Sequence, residues 1–229
     1  MTHTTSLLNV VIAEDHDLLR KGLCAAFRQN LRFCIVGEAA DGLEALHLVH
    51  SEKPDIVLMD IDMPVMNGIE ATQKIKKESA GTKVLMLTSQ ADREKVFASL
   101  AAGADGYCMK DIDADNLFAV MDMIAEGAAW LDPGIARMVL SALPGGEAAP
   151  EEQKPPSEKS LALKAHLTDR EIDVLTCIVE GKTNRQIAEG LMISPSTVKT
   201  HIHHIIEKLA VGSRTQAAVF ALQEGLISE

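Results

Sequence analysis

The stretch DIVLMDIDMPVMNG, residues 55–68, joins a short apolar run to carboxylates and then to turn residues. Asp55–Met59 is apolar almost throughout, which is typical of a strand buried on both faces of a sheet. Asp60 and Asp62 follow directly, and an amphipathic segment begins at Gly68. A buried strand that ends in acids and leads into a helix indicates one β-α unit of a parallel sheet.

The same alternation runs through the N-terminal part of the chain. Apolar runs predict five strands, at Leu7–Ala13, Phe33–Glu38, Asp55–Met59, Lys83–Leu87 and Asp105–Met109. Amphipathic segments predict the helices His16–Gln29, Gly42–Ser51, Gly68–Ser79, Arg93–Ala102 and Asp113–Gly127. The strict alternation predicts an α/β doubly wound fold, in which a five-stranded parallel sheet carries helices on both faces.

Polar and charged side chains follow four of these strands. Ligands of an open parallel sheet bind at the carboxyl ends of its strands, so these side chains are expected to converge at one edge. They are Glu14 and Asp15 after the first strand, Asp60 after the third, Thr88 and Ser89 after the fourth, and Lys110 after the fifth.

This combination of side chains suits phosphoryl chemistry at a metal. Three carboxylates placed together repel one another, and a hard cation such as Mg²⁺ relieves that repulsion through oxygen ligands. One carboxylate can then act as a nucleophile towards a phosphoryl group, as in aspartyl-phosphate chemistry. Thr88 and Lys110 supply a hydroxyl and an ammonium group for the remaining phosphoryl oxygens.

Over residues 7 to about 128, the chain resembles receiver domains. The signature segments that carry the resemblance are residues 55–68, Glu14-Asp15, Thr88-Ser89 and Lys110. The resemblance implies a flavodoxin-like fold in which Asp60 accepts phosphate from a histidine kinase. It also implies that Mg²⁺ is held by Glu14, Asp15, Asp60 and the backbone carbonyl of Asp62. Thr88 and Tyr107 would form a switch pair, with Lys110 on the phosphate. Asp111 stands where many receivers have proline.

A second family also has an acidic motif after an apolar strand. Asp60-Ile61-Asp62 resembles the D-x-D motif of haloacid-dehalogenase-type phosphatases, in which the second Asp is a general acid. In those enzymes the motif usually follows the first strand, whereas here it follows the third predicted strand. We therefore expect no external substrate and no enzymatic role beyond phosphate acceptance on Asp60 itself.

The C-terminal part is predicted to be all-helical. Thr168 with Glu171 and Thr183 with Gln186 have the spacing of capping boxes. In the helix predicted for Pro195–Leu209, an apolar stripe faces the core and consists of Val198, Ile202, Ile205 and Leu209. The opposite face is polar and presents Ser196, Lys199, Thr200, His203 and Glu207. A short helix, a tight turn and a helix with a polar face indicate a helix-turn-helix.

Residues 167–209 have the sequence LTDREIDVLTCIVEGKTNRQIAEGLMISPSTVKTHIHHIIEKL. This segment resembles the LuxR/NarL/FixJ-type DNA-binding domain, and the resemblance extends to about Leu226. It implies a small four-helix domain whose third helix enters the major groove of double-stranded promoter DNA. Base or groove contacts would come from Lys199, Thr200 and His203. Phosphate contacts would come from Lys182, Ser196, Thr197 and Arg214.

The histidines of this third helix allow two readings. His203 departs from the pattern of the family that the chain resembles, in which many members carry Lys or Arg at this position. A metal site formed by His201, His203 and His204 is the alternative, but no Cys or further ligand set accompanies them, and a structural zinc site takes four ligands. We expect a packed His201, with His203 and His204 facing solvent or DNA.

Composition limits where the protein acts. The net charge of −11 argues against indiscriminate coating of nucleic acid. The sequence has neither a signal-peptide pattern nor an apolar run of membrane-spanning length, so we expect a cytoplasmic protein with no membrane partner. The stretch Leu143–Ser160 has linker composition. It divides the chain into a receiver domain at 1–130, an exit helix and flexible linker at 131–163, and a DNA-binding domain at 164–229.

The whole pattern predicts a DNA-binding transcriptional regulator that is switched by phosphorylation of Asp60. Its partners would be a sensor histidine kinase, promoter DNA and a second copy of the chain, since a homodimer on a two-fold site would offset the low positive charge. The alternative is a constitutive DNA- or protein-binding regulator whose receiver is only a docking platform.

Overall fold

The computed structural model describes residues 7–90, 92–141 and 166–227. The chain divides into two compact units, Met1–Ala125 and Glu126–Glu229. The predicted linker Leu143–Ser160 lies outside the described residues.

The first unit alternates strands and helices in the predicted order. Its strands are β1 (Leu8–Ala13), β2 (Phe33–Ala39), β3 (Ile56–Asp60), β4 (Lys83–Thr88) and β5 (Gly106–Met109). Its helices are α1 (Asp17–Phe27), α2 (Gly42–Glu52), α3 (Gly68–Glu78), α4 (Arg93–Ala101) and α5 (Ala114–Ala125). The pairs β1–β2, β1–β3, β3–β4 and β4–β5 are all parallel, which confirms the predicted type of sheet.

The predicted number of strands was wrong. The sheet has six strands in the order β2-β1-β3-β4-β5-β6, and the added edge strand β6 is only Trp130–Leu131. Two residues are too few to show either an alternating pattern or an apolar run, so this strand has no recognisable sequence pattern. The strand order reverses beside β1, and a doubly wound sheet binds its ligands at such a switch point.

The middle of the sheet is the core of the first unit. Residues 56–59 of β3 and 84–86 of β4 have no exposed surface, as expected for strands covered by helices on both faces. The helices α2, α3 and α4 each begin at a side chain that accepts backbone hydrogen bonds, namely Asp41, Asn67 and Asp92.

One glycine fixes the chain beside Asp60. The Gly68 N–H donates to the Ile61 carbonyl at 2.9 Å, and this closes the loop between β3 and α3. A Cβ atom at position 68 would lie 1.9 Å from the carbonyl oxygen of Asp60, so no other residue allows this approach. The start of α3 is thereby held against the end of β3.

The second unit is helical apart from β6 in its described residues. It contains α6 (Pro133–Ser141), α7 (Asp169–Val179), α8 (Asn184–Leu191), α9 (Pro195–Lys208) and α10 (Arg214–Gln223). Both predicted capping boxes are present, at Thr168 and at Thr183. The predicted apolar stripe of α9 is confirmed: Val198 and Ile205 are fully buried, Leu209 is buried and Ile202 packs against the same core.

Glu171 connects α7 to α9. Its carboxylate Oε2 lies 2.7 Å from Lys208 Nζ, and its Oε1 lies 3.9 Å from His204 Nδ1. Burial alone would raise the pKa of Glu171, but hydrogen bonds from Lys208 and from the Thr168 backbone outweigh burial and lower it. The ion pair therefore fixes the end of α9 while its capping-box bond fixes the start of α7.

No helix within the described residues is long and apolar enough to cross a membrane.

Glu171→Gln tests this connection, because glutamine keeps the capping box but loses the charge. The pKa of Glu171 is lower in the folded state than its unfolded-state value near 4.5. The ionised carboxylate therefore stabilises the folded protein above that unfolded-state pKa, and this stabilisation is lost as the pH falls through the folded-state pKa. We expect the variant to lose about 1 kcal/mol of unfolding free energy at pH 7 and progressively less below pH 4.5, by urea denaturation. Glu207→Gln, whose side chain is 63% exposed, is the control. Equal stability of the two variants at pH 7 would contradict this role.

Candidate functional site

The carboxyl ends of β1, β3, β4 and β5 bring four of the predicted site residues to one edge of the sheet. Lys110 Nζ lies 2.8 Å from Glu14 Oε2 and 2.9 Å from Asp60 Oδ1. Thr88 is the last residue of β4 and is buried. The side chains of Glu14 and Asp60 are only 1% and 6% exposed, so one ammonium group serves two buried carboxylates.

Burial sets the acidity of this site. It raises the pKa of Asp60, and the hydrogen bond and charge of Lys110 act in the opposite direction. It also raises the pKa of Glu14, where Lys110 again opposes the shift and the Asp60 charge adds to it. Burial alone would lower the pKa of Lys110, but its hydrogen bonds to Glu14 and Asp60 reverse the direction and raise it. The ammonium group therefore stays charged at neutral pH.

The turn after β1 offers three metal-ligating side chains. Glu14, Asp15 and His16 each provide a ligand atom, and these atoms lie within 4.8 Å of one another. Glu14 Oε2 is buried, and although it lies 2.8 Å from Lys110 Nζ it makes no hydrogen bond of acceptable geometry. Asp15 is exposed and adds to the charge that acts on Asp60. A buried carboxylate oxygen without a donor, beside two other carboxylates, fits a hard divalent cation.

His16 was missed by the sequence analysis, because a single histidine after two acids has no distinctive spacing.

The side chain of Asp62 points away from the buried carboxylates. It is 68% exposed, and Lys95 Nζ on α4 lies 2.7 Å from its Oδ1. The role predicted for Asp62 belongs to its backbone carbonyl, so this ion pair does not conflict with it. Lys95 was also missed, because residues 33 positions apart show no relation in the sequence.

The predicted switch pair lies on adjacent strands. The Thr88 hydroxyl donates to the Gln90 carbonyl at 2.8 Å, so it is engaged away from Asp60. Tyr107 is fully buried, and its hydroxyl makes no hydrogen bond of acceptable geometry within the described residues. Burial raises the pKa of Tyr107 to about 12, and the Thr88 side chain is close enough to oppose part of that shift.

The residues predicted to contact DNA fall into two groups. The members on α9 are all exposed and near its N-terminal half: Ser196, Thr197, Lys199, Thr200 and His203. Lys182 precedes α8 in the chain and is also exposed. Its Nζ lies 2.5 Å from Glu180 Oε2.

Arg214 forms the second group, because the structure places it inside the unit. It is 8% exposed and donates to the carbonyls of Gly127 and Lys182 and, at 2.8 Å, to Asn184 Oδ1. Burial lowers the pKa of Arg214 to about 10, so it remains a cation. Its guanidinium is not presented to a DNA phosphate in this arrangement.

The alternative metal site on α9 gains no support. Within residues 7–90, 92–141 and 166–227, the group of three side chains whose ligand atoms lie close enough to share a metal ion is Glu14, Asp15 and His16, and no such group lies on α9. His203 instead lies 3.4 Å from Glu207 Oε1, and His204 faces Glu171.

Comparison with known proteins assigns both parts of the chain. The family model described as the response regulator receiver domain matches residues 10–122, and that of the bacterial regulatory proteins of the luxR family matches residues 165–221. The uncharacterized transcriptional regulatory protein YhcZ of Bacillus subtilis is 41% identical over 222 residues, which cover 97% of this chain and 99% of YhcZ. The chain belongs to the response regulators with a LuxR-type DNA-binding domain.

Other relatives agree with this assignment. The transcriptional regulatory protein LiaR of B. subtilis is 38% identical over 224 residues, covering 97% of this chain and all of LiaR. The crystal structure of the response regulator ChrA, from a heme-sensing two-component system, matches with a TM-score of 0.52 and 31% identity over 96% of this chain and 99% of ChrA. The crystal structure of a LuxR-family two-component response regulator from Aurantimonas sp. SI85-9A1 matches with a TM-score of 0.55 and 31% identity. The match covers 58% of this chain and 95% of the Aurantimonas chain.

This response regulator is thus homologous to two-component transcriptional regulators, and its relatives are regulators rather than enzymes. The family assignment replaces the phosphatase hypothesis. Receiver domains bind Mg²⁺ at an acidic pocket, and the cluster of Glu14, Asp15 and His16 lies in the receiver of this chain.

Mg²⁺ is expected to stabilise the receiver more at pH 7 than at pH 5. The folded-state pKa values of Glu14 and Asp60 are raised, so the stabilisation from their protonation is present below the unfolded-state values and is lost as pH rises through the folded ones. Because these pKa values are raised, protons compete with a cation for the two carboxylates more at pH 5 than at pH 7. When the concentration of free Mg²⁺ is a hundred times its Kd, we expect Mg²⁺ to add about 2.7 kcal/mol to the free energy of unfolding at pH 7. Thermal denaturation with and without Mg²⁺ measures this difference.

The control for this prediction is Asp62→Asn, which keeps the backbone carbonyl and should keep the Mg²⁺ effect. Asp15→Asn should lose most of it. An equal effect of Mg²⁺ at both pH values, or full retention in Asp15→Asn, would contradict the assignment of the acidic pocket.

Proposed function

We propose that Asp60 accepts a phosphoryl group from a sensor histidine kinase and that this modification controls promoter binding by the second unit. The observation that carries the proposal is the buried Asp60 carboxylate, held 2.9 Å from Lys110 Nζ beside a second buried carboxylate, Glu14. We propose domain boundaries at 1–130 for the receiver, 131–163 for the exit helix and linker, and 164–229 for the DNA-binding domain.

The two oxygens of Asp60 have different surroundings, which supports a division of roles. Oδ1 accepts the Ile61 N–H at 2.7 Å and lies beside Lys110, so Oδ2 is the oxygen left to attack phosphorus. As the bond from Oδ2 to phosphorus forms, the bond from phosphorus to the kinase imidazole nitrogen breaks, and the imidazole leaves with the electron pair. Lys110 faces the phosphoryl oxygens and offsets their charge.

The metal would be Mg²⁺, held by the carboxylates of Glu14, Asp15 and Asp60 and by the backbone carbonyl of Asp62. When bound, it neutralises the charge on the carboxylates and on the transferring phosphoryl group. Asp62 keeps its own carboxylate on Lys95, so the carbonyl is the part of this residue that is offered to the site.

Thr88 and Tyr107 are proposed as the switch. A phosphoryl oxygen on Asp60 competes with the Gln90 carbonyl for the Thr88 hydroxyl, since a charged acceptor makes the stronger hydrogen bond. Movement of Thr88 changes the space beside the buried Tyr107 ring, and the two arrangements differ in the surface around α4 and β5. Phosphorylation then shifts the population between two receiver states.

Helix α9 is proposed to read double-stranded promoter DNA from the major groove. Lys199, Thr200 and His203 would face base edges, while Lys182, Ser196 and Thr197 would contact phosphates. Arg214 joins the phosphate contacts only in a DNA-bound state that frees its guanidinium from its present carbonyl partners. Because the chain carries a net charge of −11, a homodimer on a two-fold site supplies the affinity that one copy lacks.

The phosphorylation step is tested by intact-mass spectrometry after incubation with acetyl phosphate and Mg²⁺. Wild type should gain one phosphoryl group, Asp60→Asn should gain none, and removal of Mg²⁺ by chelation should abolish the gain. Asp62→Asn is the matched control, because it changes a nearby acid and leaves the nucleophile in place. Labelling of Asp60→Asn to the wild-type extent would overturn the assignment of Asp60.

A further inference from the structure

Arg20 on α1 holds the turn that carries the acidic residues of the receiver. Its side chain is only 16% exposed, and its Nη1 donates to the backbone carbonyl of Glu14 at 2.6 Å. Its backbone N–H donates to the carbonyl of His16 at 2.9 Å. One residue therefore fixes the two carbonyls on either side of Asp15.

Two further contacts fix Arg20 itself. Its Nη2 donates to Asp17 Oδ1 at 2.8 Å, and its Nε lies 3.7 Å from Glu38 Oε2 on β2. The guanidinium thus connects the β1–α1 turn to the start of α1 and to the neighbouring strand. A planar group with five donors suits such a junction, and a flexible lysine ammonium cannot reach all of these acceptors at once.

Asp15 depends on this support more than its neighbours do. No hydrogen bond or ion pair holds its carboxylate within the described residues, whereas Lys110 holds the carboxylates of both Glu14 and Asp60. The place of the Asp15 carboxylate is therefore set by the backbone of the turn. We propose that Arg20 is a positioning residue for the metal site, which it serves by holding Asp15 in reach of the cation that Asp60 also binds. The inference rests on the proposed function.

The sign of the effect separates positioning from simple electrostatics. Arg20 is a cation near a cation site, so by Coulomb's law its removal should strengthen metal binding. Loss of positioning acts in the opposite direction, and removal of a group that orients a metal ligand typically costs 10–100-fold in affinity. Weaker binding after removal of a positive charge is therefore specific to positioning.

The test uses the full chain and Mn²⁺ as the probe, with free Mn²⁺ measured by electron paramagnetic resonance. Arg20→Met keeps most of the apolar stem and removes every side-chain donor, while the backbone bond to the His16 carbonyl is kept. Lys21→Met is the matched control, because Lys21 Nζ pairs with the same Asp17 at 2.6 Å but its side chain is 70% exposed. Arg20→Lys keeps the charge and puts all of its donors on a single nitrogen in place of the planar guanidinium.

We expect Arg20→Met to raise the Kd for Mn²⁺ about tenfold, Arg20→Lys to raise it less, and Lys21→Met to leave it unchanged or slightly lower. The phosphorylation rate of Arg20→Met at saturating Mg²⁺ should stay within about twofold of wild type, because Arg20 does not contact the reacting atoms. Thermal denaturation without metal establishes that each variant is folded, and Arg20→Lys carries the test if Arg20→Met is not.

Three results would overturn the inference. One is an unchanged or tighter Kd in both Arg20 variants. Another is an equal loss of affinity in Lys21→Met. The third is a lower rate at saturating Mg²⁺ with an unchanged Kd, which would place Arg20 in the chemical step. If wild type itself binds no Mn²⁺, the metal site of the proposed function fails, and this outcome is distinct because it appears before any substitution is made.

Discussion

Lys110 places one ammonium group between two buried carboxylates, and this shared ion pair sets the charge balance of the receiver pocket. One positive charge balances only one of Glu14 and Asp60, and both are almost fully shielded from water. The excess negative charge is costly to bury, so the pKa of each acid is raised and the pocket favours a divalent cation. Under the proposed function, a phosphoryl group on Asp60 would add further negative charge, which Lys110, Thr88 and the metal would offset.

The fold provides the precision that this pocket needs. Parallel strands bring Glu14, Asp60 and Lys110 to one edge from positions 14, 60 and 110 of the chain. Gly68 lets α3 begin against the Asp60 carbonyl, and Arg20 ties the acidic turn to α1 and β2. In the second unit, the ion pair between buried Glu171 and exposed Lys208 fixes α9 with its polar face outward. Both units thus use a few buried charged groups to orient residues that stay exposed.

Much of this arrangement could be predicted from the sequence, because strand ends and capping boxes are local patterns. The residues that converge on the pocket follow apolar runs, and Thr168 and Thr183 precede helical ones. What could not be predicted depends on the packing of distant residues. The pairing of Lys95 with Asp62, the burial of Arg214 and the support of Glu14 by Arg20 leave no periodic trace. The edge strand Trp130–Leu131 could not be predicted either, although its residues are adjacent in the sequence, because it is too short to have a pattern.

The proposed switch requires that phosphorylation of Asp60 controls how the second unit binds DNA. It is tested most directly by selecting bound sequences from a random double-stranded pool, with and without acetyl phosphate and Mg²⁺, for wild type and Asp60→Asn. We expect the phosphodonor to tighten selection of a two-fold site in wild type alone. Equal binding by both proteins under every condition would contradict it and would favour a constitutive regulator whose receiver serves as a docking platform.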